Sequence, residues 1–256
     1  MSDHTENASV QVIDRAFAIL ELVSQQGSTS LKDIYSALGL NKASTLRIAS
    51  ALVSNGYLDK DPKGNYSLTF KPYELGIRAV RRVDYITFIR ETLDNISSEL
   101  GVIAQFSVRE QNELLCIESF DLSRANFSVY TRVGQRSQLY ATSAGKAILS
   151  TYQDDDIKAL WEKLDIHVYT PKTITNLDDF MKEIYVTRQR RFAIDDEESE
   201  LGLFCVGTPL VNANQKAIGA ISLSTNMMND AILQRMSSSL LSQTQRLSYM
   251  LSYSIK

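Results

Sequence analysis

The stretch NKASTLRIASALVSNGYL, residues 41–58, decides how the N-terminal part of the chain is read. Asn41 is a helix-capping residue type, no proline or glycine follows until Gly56, and Asn55-Gly56 supplies a helix stop. On a helical wheel Leu46, Ala49, Leu52 and Val53 fall to one side. Ser44, Arg47, Ile48 and Ala51 fall to the other. An isoleucine exposed beside an arginine has no use on an ordinary surface helix. It suits a helix that enters a groove.

Upstream, VQVIDRAFAILELVSQQ (residues 10–26) places Val12/Ile13, Phe17, Leu20 and Val23 at helical spacing and ends at Gly27. Residues 1–9 are polar and acidic and are expected to form a disordered tail, neither a signal nor a transit peptide. Ser30 caps a second short helix, LKDIYSAL, that stops at Gly39. No strand signal separates the three helices. Downstream, Tyr57-Leu58 and Tyr66-Ser67-Leu68 are strand-like, and Asp61-Pro62-Lys63-Gly64 has the residue order of a type I turn. Three helices followed by a hairpin with Lys60 and Lys63 at its tip make a winged helix-turn-helix pattern.

In such a pattern the second helix of the motif lies in the DNA major groove. Arg47 suits guanine O6/N7, while Ile48 and Ala51 suit thymine methyls. Ser44 and Thr45 can donate to phosphates or bases, Lys42 is placed for phosphate, and Lys60 and Lys63 can follow the adjacent backbone. Charge supports this. The chain carries a net −3, yet residues 41–82 hold eight Lys/Arg against three Asp/Glu, a local +5. One positive segment in an acidic chain points to one anionic partner.

From Pro72 to about Leu100, the residues Leu75, Ala79, Val83, Ile86, Leu93, Ile96 and Leu100 draw one apolar stripe, predicting a linker helix over 71–100. The stripe fits a core face or a seam against a second chain equally well. After Gly101 the period becomes two: VIAQFSVR, ELLCIES and a third run through Phe127, Val129, Thr131 and Val133 read as strands. Helices are predicted near 143–151, 154–164 and 177–191, strands at LFCVGTPLV and KAIGAISLS, and a last helix over 230–254. Residues 101–256 therefore read as an α+β sensor domain with a mostly antiparallel sheet.

Catalysis finds little to work with. His4 and His167 are the only histidines, which leaves a zinc site or a Ser-His-Asp triad without partners, and no phosphate-cradling glycine loop occurs. Cys116 and Cys205 show neither metal-ligand nor redox spacing, so they read as reduced thiols of a cytoplasmic protein. No apolar run approaches the roughly 20 residues of a membrane span. No cofactor is expected.

The sequence resembles the IclR family of bacterial transcription regulators across nearly its whole length. The matching pieces are LGLNKASTLRIASALVSNGYL, YSLTFKPYELGIRAV, SAGKAIL, DDEESELGLFCVGTPL and AIGAISLS. YSLTFKPYELGIRAVRRVDYI and YTRVGQRSQLYATSAGK are most similar to the ketodeoxygluconate-responsive KdgR branch. The resemblance implies a winged helix-turn-helix over residues 10–70, a linker helix, and a GAF-like effector domain. It also implies a homodimer or dimer of dimers on a double-stranded operator, with repression more common than activation. Two departures stand in the groove helix: Ala43 where serine is common, and Leu46 where histidine or tyrosine is common. The wheel puts Leu46 on the buried side, which would make Ala43 the more consequential change.

The same resemblance places effector contacts on Ser143, Ala144, Asp195, Cys205, Ser222 and Ser224, with Val129 and Leu203 as further lining residues. Their chemistry suits a small carboxylate or sugar acid. Ser143 and Ala144 open a helix whose free N–H groups hold an anion. Ser222 and Ser224 share a strand face, and Asp195 accepts from hydroxyls. Plainer readings stand beside these: Ser143 as an N-cap, Cys205 as packing, Lys146 reaching to solvent, DDEESE as a solvated loop, Thr187–Arg191 as a charged helix face. An alternative function also stays open, a small-molecule sensor whose N-terminal helices bind a protein partner.

Overall fold

A computed structural model describes residues 3–81, 85–121 and 133–254. The contacts divide the chain into two compact units, Met1–Asp84 and Tyr85–Lys256. The sequence places boundaries instead at 70/71 and 100/101.

The first unit contains helices α1 (Asp3–Gln26), α2 (Leu31–Ala37), α3 (Lys42–Ser54) and α4 (Lys71–Arg81), with strands β1 (Thr29–Ser30), β2 (Leu58–Lys60) and β3 (Asn65–Leu68). Local chemistry fixes the ends of α2 and α3. Ser30 Oγ accepts from the Asp33 N–H at 3.2 Å, and Asn41 Oδ1 accepts from the Ser44 N–H at 2.7 Å. Gly56 at φ +75° takes the left-handed conformation after α3. Gly64 closes the β2–β3 turn, its N–H donating to the Asp61 carbonyl at 3.0 Å. Ile19, Val23, Ile34, Ile48, Ala49, Leu58 and Tyr66 form the core.

Two expectations for this unit are corrected. The tail expected over residues 1–9 is helical from Asp3, and residues 3–9 hold no glycine or proline that would oppose a helix. A two-residue strand, β1, joins the hairpin as a third strand in the order β1-β3-β2, with Thr29 opposite Tyr66. Two residues are too few to display an alternating pattern.

The second unit is built on a fully antiparallel six-stranded sheet in the order β6-β5-β4-β9-β8-β7. The strands are β4 (Ile103–Glu110), β5 (Glu113–Asp121), β6 (Arg136–Gln138), β7 (Ala193–Asp196), β8 (Phe204–Val211) and β9 (Ala217–Thr225). Helices α6 (Ser143–Leu149), α7 (Asp154–Trp161) and α8 (Leu177–Arg190) make a layer with a core of Tyr140, Ala144, Ile148, Ile157, Phe180 and Ile184. Helix α9 (Asp230–Ser254) lies against the other face, where Thr208 Oγ1 donates to Thr244 Oγ1 at 3.1 Å. The sequence-based expectation of an α+β architecture with an antiparallel sheet holds.

Within the helix expected over 71–100, α4 and α5 (Ile86–Leu100) are helical, and residues 82–84 lie outside the described residues. Ile89, Leu93 and Ile96 of α5 are fully buried, so that half of the stripe is a core face. The strand expected through Phe127, Val129 and Thr131 also lies outside the described residues, and Val133 sits in a turn. Among the described residues, no helix is long and apolar enough to cross a membrane.

Candidate DNA-reading face and effector site

Helix α3 turns one face outward, but not the face the wheel selects. Thr45 is fully buried and Ile48 is 4% exposed, whereas Leu46 is 41% exposed. Lys42, Ala43, Arg47, Ser50 and Ala51 share the exposed side, and Ser44 is half-buried. Thr45 and Ile48 are therefore corrected from groove contacts to core residues. Thr45 spends its hydroxyl on the Asn41 carbonyl at 3.0 Å, and Ile48 packs in the cluster with Ile19, Val23 and Ile34. Leu46 is corrected in the opposite sense. Alanine and serine occur on both sides of α3, so its apolar moment is weak, and treating Leu46 as a core residue rotates the wheel.

Lys60 and Lys63 are exposed on the hairpin. The Lys60 ammonium lies 5.3 Å from the Tyr66 ring centroid, which holds it near the wing without neutralising it. Lys71 is committed within the unit: its Nζ donates to the Asn55 carbonyl at 2.6 Å, at the C-terminal end of α3. Lys42, Arg47, Lys60 and Lys63 thus supply outward positive charge on α3 and the hairpin.

In the second unit, strand pairing brings the expected effector residues together. Asp195 is opposite Cys205, and Cys205 is opposite Ser224. Gly207 is opposite Ser222, which is opposite Gln105. Directly paired residues point to the same face, so Asp195, Cys205 and Ser224 make one row and Gly207, Ser222 and Gln105 the next. Cys205 Sγ and Ser224 Oγ are 3.2 Å apart. Helix α6 starts over this face, close enough that a Cβ on Gly207 would meet Ser143 backbone atoms at 2.7 Å. Ser143, Ala144, Asp195, Leu203, Cys205, Ser222 and Ser224 are all buried. Val129 lies outside the described residues.

The cap of α6 is Thr142, whose Oγ1 accepts from the Gly145 N–H at 3.2 Å. Ser143 and Ala144 are then the first helical residues, whose N–H groups have no carbonyl partner within the helix. The acidic run expected as a solvated loop folds inward at Asp195. Its Oδ1 accepts from the N–H groups of Glu198 at 2.7 Å and Ser199 at 3.3 Å, and its Oδ2 from the Ser199 hydroxyl at 2.5 Å. A carboxylate offers about four acceptor sites, and these three hydrogen bonds take up most of them.

Lys146 departs most from expectation. It is fully buried rather than reaching to solvent, with its Nζ paired to Glu198 Oε1 and 3.8 Å from Glu183 Oε1. Burial pushes the Glu198 carboxyl up to about 7, against the nearby Lys146 charge, and burial also raises Asp195. Among the described residues, the buried Glu198 Oε2 atom meets no hydrogen-bond partner. Burial holds the Cys205 thiol well above its ordinary value, so it stays protonated.

Gln105, Lys146, Glu198 and Ser199 belong to this buried polar face, and the sequence reading misses all four as site residues. Two carry a legible signal: Gln105 is a lone amide in the apolar run VIAQFSV, and Lys146 a lone charge in SAGKAIL. Both spend that polarity inside the domain, since Gln105 is 7% exposed with its Nε2 3.5 Å from Cys116 Sγ.

The chain matches known families in two regions. Residues 12–62 match the IclR helix-turn-helix domain, and residues 77–249 match the C-terminal domain of the bacterial transcriptional regulator IclR. The HTH-type transcriptional regulator XynR of Escherichia coli is 31% identical over 219 residues, covering 84% of this chain and 86% of that protein. The regulator KdgR of the same organism is 26% identical over 217 residues, covering 84% and 82%. The KdgR likeness read from the sequence is present, and XynR is the more similar of the two. An IclR homolog from Microbacterium hydrocarbonoxydans, solved with 4-hydroxybenzoate, superposes with a TM-score of 0.77 at 17% identity, covering 92% of this chain and 99% of that one. With both of its units matched, in this order, this chain belongs to the IclR family of bacterial transcriptional regulators.

Proposed function

We propose that the protein is a cytoplasmic repressor of carbohydrate or sugar-acid catabolism genes, released from its operator by a small carboxylate or sugar acid. The observation that carries the effector reading is the buried polar face. Asp195, Cys205, Ser222 and Ser224 converge on one side of the sheet beneath the first turn of α6. Helix N–H groups without an intrahelical carbonyl favour a carboxylate, and the serine and aspartate side chains match hydroxyls. A carboxylate ligand in the homologue with 4-hydroxybenzoate supports the same chemistry. The protein acts by binding rather than by turnover.

The operator is read by Arg47 and the exposed side of α3, with Lys42, Lys60 and Lys63 on phosphates. The chain works as a homodimer or dimer of dimers. Phe17 on α1 is 60% exposed and Phe70 before α4 is 84% exposed, apolar surface that a second copy would cover. Paired heads must match half-sites about 34 Å apart or a multiple. A ligand-driven change transmitted along residues 71–100 would break that match, and operator DNA must in turn weaken ligand binding.

A mobility-shift assay on promoters beside the protein's own gene, with a panel of sugar acids, tests this reading. Specific binding lost on adding one acid is expected. DNA affinity should also fall steeply with salt, because phosphate contacts release counterions. A salt-insensitive N-terminal partner would favour the alternative, a sensor that binds protein through its helices.

A further inference from the structure

We infer that Leu46 is a sequence-determining residue that packs on the 5-methyl group of one thymine in each operator half-site. The inference rests on the DNA-reading role of α3 and goes beyond it by naming a base and the group that reads it. Leu46 is 41% exposed, and it is absent from the core that Ile48, Ala49, Leu52 and Val53 join. Folding therefore does not account for this side chain. Ala43 and Ser50 flank it on the exposed side at helical spacing and are both small, while Lys42, four residues before it, is exposed as well. Arg47 and Lys42 place positive charge on the same exposed side, which draws a polyanion rather than an apolar protein surface.

The chemistry of the groove narrows the partner. Leucine offers no donor or acceptor, so seating it on a polar base edge would strip hydrogen bonds from that edge without replacing them. The major-groove edges of guanine, adenine and cytosine present such polar groups, whereas thymine adds a methyl. Leu46 lies in the N-terminal half of α3, the part of a groove helix that reaches base edges. Arg47 beside it suits guanine, so the half-site should carry thymine near that guanine.

The test begins with selection of binding sites from a random duplex library by the full chain. Each thymine of the selected duplex is then replaced singly by deoxyuridine, which removes only the methyl. At one thymine per half-site, uracil should weaken wild-type binding by about threefold to tenfold, the scale of one buried methyl or slightly more. Leu46→Ala should bind the two duplexes equally, and repeating the selection with Leu46→Gln should move preference at that position from thymine toward adenine. Wild-type indifference to every uracil would overturn the inference, as would a penalty that persists unchanged in Leu46→Ala. Failure to enrich any sequence would overturn the DNA-reading role itself, a distinguishable result.

Discussion

Gly207 lies directly against the backbone of Ser143. A Cβ at position 207 would stand 2.7 Å from both the carbonyl carbon and oxygen of Ser143, and 3.0 Å from the Ala144 nitrogen. The bare Cα of this glycine on β8 lets the first turn of α6 descend onto the polar face of the sheet. Gly207→Ala should lower stability by about 1–3 kcal/mol, because backbone must move to admit the methyl. Urea unfolding checks this, and a wild-type midpoint would contradict the close approach.

Lys146 is fully buried among carboxylates. Above pH 7, where Glu198 is ionised, Lys146→Met should cost about 3–5 kcal/mol, since it strands the carboxylate without its cation. Adding Glu198→Gln should recover much of that loss. A single variant within about 1 kcal/mol of wild type in urea unfolding would show that the pair is not buried as described.

Glu198 also makes stability depend on pH. Its folded-state carboxyl is raised from the ordinary 4.5 to about 7 by burial. Between those values the folded chain holds a proton that the unfolded chain has released. Stability should therefore fall as pH rises through this window and level off above it. Thermal melts across the window should show the slope in wild type and a flatter one in Glu198→Gln. Equal slopes would place the titration elsewhere.

Arg47 and Ile48 are adjacent on α3, yet the first is exposed and the second buried, so their variants should fail differently. Arg47→Ala should cost about 1–3 kcal/mol of specific DNA binding and relax one base preference, with the fold intact. Ile48→Ala should cost about 2–5 kcal/mol of stability in the first unit. Paired DNA titrations and melts separate the two losses, and a stable Ile48→Ala with altered base preference would restore the orientation read from the wheel.

Asp195→Asn combined with Ser222→Ala should weaken binding of the active sugar acid by about 1–3 kcal/mol through lost hydrogen bonds. Operator binding without ligand should be unchanged. If calorimetry finds the same ligand affinity in the double variant, the ligand sits away from this sheet face.

Capping residues, turn residues and hydrophobic period are local, so Ser30, Asn41, Gly56 and the Asp61–Gly64 turn are legible in the amino-acid order alone. The α+β order is legible as well, and so is the shared face of Ser222 and Ser224, which holds wherever a strand forms. Other features are not, because nothing local encodes them. The orientation of α3 depends on which side meets Ile19 and Ile34, and a helix rich in alanine and serine barely states its preference. Lys146 reads as a surface charge until the Asp195 loop folds back and brings Glu198 to it. The two-residue strand β1 exists only because β3 lies beside it. Sequence alone determined most of the helices, the longer strands β4, β5, β8 and β9, and which chemistry the chain carries. Tertiary structure decided which side chains face inward, because burial is settled by what lies across the interface rather than by neighbours along the chain.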